Sequence, residues 1–409
     1  MFCKTEVFIR LTILLFCLQP ILGIAQEWSI EGRLQNRTAY RITEHQGLSL
    51  FDTLADLTIK RDWETDWSLD VTLRGRYEDR LEPDPYEELG VREAVLTRET
   101  DDYMVKLGRQ QVVWGRTDGL RLLDVVNPFD FREFLLDDFA DSRIPLWMLN
   151  MEYYREDDAL QFLIIPDLEG DRLAKPGGEF FIGPESPTGI PVLPTKDPDP
   201  GPENWRSGMR WSRMVGDWDL SFNALYGWTS RPVPVLQLTS EGVAVEPERK
   251  RELLLGGSGD VTVNDAVIRF EAVFTPDAYL QSPSGYLRQK LFRYAIGIDW
   301  IKSGWLLSPQ VFQEHVLNPA DDLSADEHTT YFTFLIRKTF LQDKFILRVF
   351  SLYGPDNDDL WINPRLSYRP TGGQLEITLG ADMFGGDRSG VFGRFSERDR
   401  VTLETTWRF

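Results

Sequence analysis

From Glu27 to the last residue, apolar and polar side chains alternate with a period of two, interrupted by turn-forming residues. In the first such stretch Trp28, Ile30, Gly32, Leu34 and Tyr40 fall on one side, and Glu31, Arg33, Gln35, Arg37 and Arg41 on the other. Trp67, Leu69, Val71, Leu73 and Tyr77 oppose Asp70, Thr72, Arg74 and Arg76 in the same way. Later Trp218, Leu220, Phe222, Ala224, Tyr226 and Trp228 oppose Asp219, Ser221 and Asn223, and Phe292, Tyr294, Ile296, Ile298 and Trp300 oppose Arg293 and Asp299. This is the periodicity of strands whose two faces meet different surroundings, so the chain reads as all-β.

The connections sort into two kinds. Short turns fall at Thr100-Asp101, Asp157-Asp158, Gly216-Asp217, Asn264-Asp265, Ser303-Gly304, Gln342-Asp343 and Thr371-Gly372-Gly373, with Asp62 to Thr65 slightly longer. Longer ones fall at about 79 to 88, 116 to 143, 167 to 204, 231 to 248, 277 to 286, 317 to 327 and 385 to 395. Putting short turns at one end and long loops at the other gives 18 strands, with 16 as the alternative if the weak stretches Gly90 to Arg98 and Arg251 to Val261 are not strands. That layout predicts a transmembrane antiparallel up-and-down β-barrel over 26–409. Closure follows because an open edge in hydrocarbon would leave backbone donors and acceptors without partners.

Aromatic placement fits two interfacial belts. Trp28, Trp67, Trp218, Trp300, Trp305 and Trp407 lie beside short turns or a terminus, and Trp147, Trp228 and Trp361 lie near the loop ends. The last strand alternates Val401, Leu403, Thr405, Trp407 and Phe409 with Thr402, Glu404, Thr406 and Arg408, and looks like the terminal signal read by the outer-membrane barrel assembly machinery.

One stretch breaks the pattern. Tyr103, Val105 and Leu107 alternate with Met104, Lys106 and Gly108, and then the alternation fails from Arg109 through Trp114. The residues that follow mix charges with Leu122, Leu123, Phe129, Phe131, Phe134, Leu135 and Phe139, more apolar surface than a solvated loop can use. The expectation is that this third long loop, 116–143, folds into the lumen as a constriction lined by Arg109, Arg116, Arg121, Asp124, Asp130, Arg132 and Asp138. A packed cap outside the barrel is the alternative. Asn127 or Asp130 is expected to cap a short helix on which Phe131, Phe134 and Leu135 share a face. By parity the lumen wall carries Arg33, Arg37, Arg74, Arg76, Arg210, Arg293 and Arg365 among carboxylates such as Asp52, Asp56, Glu271, Asp382 and Glu404. The Pro- and Gly-rich loop 167–204 is expected to be extended, extracellular and solvent-facing.

Composition narrows the function classes. A net charge of -20 argues against nucleic acid, which asks for basic patches. Residues 1–25 read as a secretory signal peptide: Lys4 and Arg10, an apolar run from Leu11 to Ile24, and small residues before the cleavage point. The only cysteines, Cys3 and Cys17, leave with it, so no disulfide or thiol chemistry is expected in the mature chain. The histidines are His45, His315 and His328, and no serine sits in a nucleophile motif, so no enzyme and no cofactor are expected. Asp356, Asp358 and Asp359 read as a solvated turn, and no metal is expected.

The runs GRQQVVWGR at 108–116, DGLRLLDVVNPFDFREF at 118–134 and DSRIPLW at 141–147, with the strand ending at Pro166-Asp167, resemble a family of outer-membrane proteins known as a domain of unknown function, the DUF1302 group. The likeness is firmest from Val91 to Asp167. It implies a porin-like barrel in the bacterial outer membrane, set in lipid and lipopolysaccharide, and working beside inner-membrane exporters of the resistance-nodulation-division type in moving lipids or other hydrophobic compounds. It implies no catalytic residues. The chain is also similar to alginate-export barrels, whose lumens are arginine-rich, but its lumen carboxylates argue against a polyanion route. The expected function is a porin-like channel for small solutes or hydrophobic, lipid-like compounds, with selectivity set by the in-folded loop. A plugged barrel serving as a surface receptor or exporter partner is the alternative.

Overall fold

A computed structural model describes residues 28–409 apart from 44, 118, 183–189, 241, 284 and 371. The expected signal peptide, 1–25, lies outside the described residues. Five strands come first: β1 (Trp28–Arg41), β2 (Gly47–Asp62), β3 (Trp67–Asp79), β4 (Tyr86–Glu99) and β5 (Tyr103–Gln110). The chain then leaves the wall for a segment holding β6 (Asp130–Phe131) and the one-turn helix α1 (Phe139–Ser142). It rejoins as β7 (Leu146–Arg155) and β8 (Asp158–Ile165), makes β9 (Arg172–Leu173) in the next loop, and continues with β10 (Arg206–Val215) and β11 (Trp218–Trp228). After a loop hairpin, β12 (Val233–Thr239) and β13 (Gly242–Glu248), come β14 (Arg251–Val263), β15 (Ala266–Ser282), β16 (Gly285–Lys302) and β17 (Trp305–Leu317). The last five are β18 (His328–Phe340), β19 (Phe345–Gly354), β20 (Asp359–Tyr368), β21 (Leu375–Gly385) and β22 (Arg400–Arg408).

Eighteen of these form one sheet in which wall strands pair antiparallel with their neighbours in sequence, and β22 pairs with β1 from Arg33↔Arg408 to Arg41↔Arg400. The sheet is therefore a closed barrel, and no spanning backbone group is left at an edge. Backbone bonds between Gly32 and Phe409, 2.7 Å from Gly32 N–H and 3.0 Å from Phe409 N–H, finish the seam. Both weak stretches are full wall strands, β4 and β14, which decides for 18 over 16.

Outward positions are apolar and exposed, as at Leu107, Phe222, Ile296 and Leu379, and Trp28, Trp67, Trp218, Trp300, Trp305 and Trp407 are half-exposed on that face. Trp361 departs from its expected place in a belt. It alternates with Leu360 and Ile362, points into the lumen with Asn363, and is buried against Phe350 and Phe392.

The large side chains that are fully buried lie inside the barrel. One apolar cluster joins Val112, Trp114, Leu122, Leu123 and Val126 to wall residues including Leu146, Leu163, Leu225, Leu254 and Phe312. A second joins Phe134 and Leu136 to Ala39, Leu50, Phe350, Leu352 and Trp361, with Phe392 and Phe395 from the last loop. The third long loop is thus packed into the lumen and is not a cap outside it.

Two expectations about connections need correction. The loop expected at 277 to 286 is the far end of a long hairpin, in which β15 and β16 pair as far as Ser282↔Gly285 and the Pro276 region is absorbed as a register irregularity between Thr275 and Ala278. Loop 167–204 is only partly solvent-facing. β9 pairs in parallel with β6, Phe180 is buried against Phe384 and Phe395, and Glu179 binds Arg41 and, at 2.9 Å, Arg398. Apolar Phe180 gains from burial what the Pro-rich stretch 190–202, mostly exposed, does not.

Candidate functional site

The site is the in-folded segment, residues 111–145, with the cavities it leaves on either side. Asn127 ties its neck. Asn127, 1% exposed, accepts from Val112 N–H at 2.8 Å and donates to the carbonyls of Gln110 at 3.2 Å and Ile144 at 2.9 Å. The amide holds the outgoing limb, the middle and the returning limb together, which satisfies backbone groups that no sheet ladder reaches. It caps no helix, and Asp130 caps none either, because its carboxylate is taken by Arg132 at 2.7 Å. Phe134 has φ 54°, a left-handed conformation that a right-handed helix cannot contain, and its ring sits 5.3 Å from that of Phe392 and 5.2 Å from that of Phe395.

One limb is anchored to the wall of β11, β14 and β15. The buried carboxylate of Glu271 accepts from the backbone N–H groups of Arg116, Thr117 (2.7 Å) and Leu123 (3.1 Å). Arg116 pairs with Asp219 at 2.7 Å and with Asp260. Gly256 leaves a socket for Leu123, whose methyl carbon would meet any Cβ placed there, and Gly208 does the same for Trp114. The close approach of segment to wall is why these positions are glycine.

The other limb is clasped by arginines of β1, β3 and β22. Arg33 reaches Asp141 at 2.6 Å and Arg74 reaches it at 2.9 Å, while both also hold Asp56 at 2.7 Å. Arg37 pairs with Asp137 at 2.6 Å and with Glu133, and Arg400 joins Glu133 to Asp382, 2.8 Å away. Glu133, Asp137 and Asp141, four residues apart, present one carboxylate row to this arginine wall. Burial works against the charge on Asp141, but Arg33 and then Arg74 outweigh it and hold the carboxyl well below its ordinary range.

Three cavities beside the segment adjoin one another through shared lining residues. On the short-turn side one of about 410 Å³ is bordered by Arg37, Asp138, Arg337, Arg348, Arg365 and Glu404. On the loop side one of about 400 Å³ lies against β11 and β14 to β16, bordered by Arg121, Phe129, Leu254, Tyr286 and Arg293. Between them a space of about 140 Å³ is walled by Gly115, Arg116, Arg121, Asp124, Phe139 and Glu271. Arg121 and Asp124 border the loop-side and middle cavities, and Phe139 borders the middle and short-turn ones.

Of the residues expected at the constriction, Arg116, Arg121, Asp124 and Asp138 border these cavities. Asp124 is held by Arg143 at 2.7 Å. Asp130 and Arg132 are buried and bind the segment to the top of β3, with Arg132 2.6 Å from Glu78, so they border none of the three cavities. Arg109 does not reach the lumen. It shares the outward parity of Leu107, lies opposite exposed Trp147, and donates to the Pro145 carbonyl at 3.2 Å. On the wall, Arg33, Arg37, Arg74 and Arg76 all face the segment, Arg365 pairs with Asp382 at 3.2 Å, and Arg293 lies 3.9 Å from Glu314. Arg210 opposes Asn223 in the ladder, with a buried Nε that has no hydrogen-bond partner among the described residues. Sequence reasoning passed over Glu133, Asp137 and Asp141, whose spacing of four was readable, and Arg400, whose inward parity with Thr402 and Glu404 was readable too.

A closed barrel of 18 antiparallel strands with a long loop packed into its lumen defines a porin-type transmembrane barrel. The chain belongs to the family described as "Protein of unknown function (DUF1302)", which matches residues 95–409. Among solved structures it is similar to OccAB4 of Acinetobacter baumannii, at 10% identity and a TM-score of 0.56, covering 94% of this chain and 98% of that one. It is similar to OccK11 (OpdR) of Pseudomonas aeruginosa at 11% identity and 0.54, covering 93% and 96%. OccK2 (OpdF) of the same organism, solved in complex with glucuronate, matches at 9% identity and 0.54, covering 93% and 98%. No curated protein matches the chain.

Proposed function

We propose that this chain is a channel of the bacterial outer membrane that passes small solutes or hydrophobic, lipid-like compounds, with the in-folded segment as its constriction. The observation that carries this reading is the run of three cavities, of which the middle one is the smallest and shares Arg121, Asp124 and Phe139 with its neighbours. A solute crossing the barrel meets mixed charge on the short-turn side and an apolar, arginine-bearing cavity on the loop side, so size and charge are both sampled at the segment. The exposed apolar exterior suits outer-membrane lipid and lipopolysaccharide, and the last strand to Phe409 suits recognition by the barrel assembly machinery. No enzymatic step enters this reading, since His315 and His328 meet each other with Nδ1 atoms 2.7 Å apart on outward positions of β17 and β18.

A second reading is a plugged barrel that serves as a surface receptor or as partner of an inner-membrane exporter. It draws on the ion pairs that hold the segment at opposite walls, at Asp219 and at Arg33, Arg37 and Arg74. Planar-bilayer recording separates the two. The channel reading expects current from the intact protein and a larger conductance after deletion of 118–140; silence in both forms removes it.

A further inference from the structure

The loop-side cavity carries more than a passage needs. Arg121 lies between two rings, its guanidinium carbon 3.7 Å from the Phe129 centroid and 4.1 Å from that of Phe139. The cation thus has two close aromatic contacts, and Nη2 donates to Ser142 Oγ at 2.8 Å. Its Nε and Nη1 are buried and have no hydrogen-bond partner among the described residues. Buried guanidinium donors left unpaired are costly, and Val125, Phe129, Leu254, Leu280 and Leu291 give the cavity apolar wall beside them. The cavity is lined by charges of both signs, Arg121, Arg231 and Arg293 with Asp124, Asp171 and Glu252, and Asp124 is already taken by Arg143 and Arg293 lies 3.9 Å from Glu314.

As a deepening of the channel reading, on which its role in transport rests, we infer that this cavity binds an amphipathic monocarboxylate, with Arg121 as the anchor for the acid group and the apolar walls around the body. The planar fork of a guanidinium matches a carboxylate, and the two ring contacts hold it in place before any ligand arrives. Burial lowers Arg121 to about 10, against the opposing pull of Asp124, which leaves the group charged at neutral pH. A compact inorganic anion would satisfy the donors but leave the apolar walls unfilled. A neutral amide would fill the walls but lack the charge.

The test is calorimetric titration of the full chain in detergent micelles with 3-phenylpropionate, 3-phenylpropanamide and inorganic phosphate. The acid is expected to bind, the amide to bind at least tenfold more weakly, and phosphate to leave acid binding unchanged. Arg121→Gln is expected to weaken acid binding at least tenfold, and Arg121→Lys to weaken it while keeping the preference for acid over amide. Heat-shifted migration on gels verifies that each barrel is folded. Equal affinity for acid and amide, phosphate displacing the acid, or a folded Arg121→Gln barrel with unchanged affinity overturns the inference. If neither variant folds, the three-ligand comparison on the unaltered chain decides it. Bilayer current is read separately: binding without conductance removes the channel and keeps the site, while conductance without binding removes the site alone.

Discussion

At the scale of single residues, the segment depends on a few side chains that complete the backbone's hydrogen bonding. Asn127 serves three stretches of chain at once, and Asn127→Leu keeps the branched shape while leaving Val112 N–H and two carbonyls unpaired in a buried place. The expected loss is about 2 to 3 kcal/mol, read as a lowered urea midpoint or earlier proteolysis between 111 and 145. Asp141 sets a pH limit. Its folded carboxyl lies below the ordinary value of 3.8, so its contribution is fully present above that value and is lost as pH falls from there through the lower, folded one. Asp141's share of the segment's proteolytic protection should hold down to about pH 4 and decline below it. Asp141→Asn should flatten that decline, because Arg33 and Arg74 then keep only Asp56.

At the scale of elements, the segment and the wall fit as knob and socket on one side and as ion pairs on the other. Gly256→Val should displace Leu123 and loosen the limb held by Glu271, seen as a rise in fluctuating current with the barrel still folded. Glu133→Ala should cost about 3 kcal/mol in urea unfolding, since it leaves Arg37 and Arg400 short of a buried partner. Strand parity was legible in the sequence because lipid and water impose a strict alternation on each wall strand. β14 looked weak because Gly256, Gly257 and Gly259 dilute its pattern, yet those glycines keep their ladder bonds, and Gly256 is the very position that receives Leu123. The interior of the segment was not legible. Phe131, Phe134 and Leu135 have helical spacing, but the shape of the lumen decides their backbone, and Phe134 is turned left-handed to seat between two phenylalanines from the last loop. Arg109 was misread for a related reason: the alternation fails only after it, and β5 runs on to Gln110 with Arg109 still on the lipid side.

At the scale of the whole molecule, a wall wide enough for water is narrowed by its own chain, and the ladder that closes it is independent of that narrowing. Removing 118–140 should therefore leave a barrel that still shifts on heating and conducts more, which bilayer recording and gel migration check together. The clasp between the segment and β1, β3 and β22 has a consequence for how such a pore answers ionic strength. Counter-ions shield exposed charges beyond about 8 Å in physiological saline but hardly reach pairs sealed as Arg400 and Glu133 are. Concentrated electrolyte should thus scale the current through the open path without prying the clasp loose, so the pore stays ohmic where a surface-latched gate would give way.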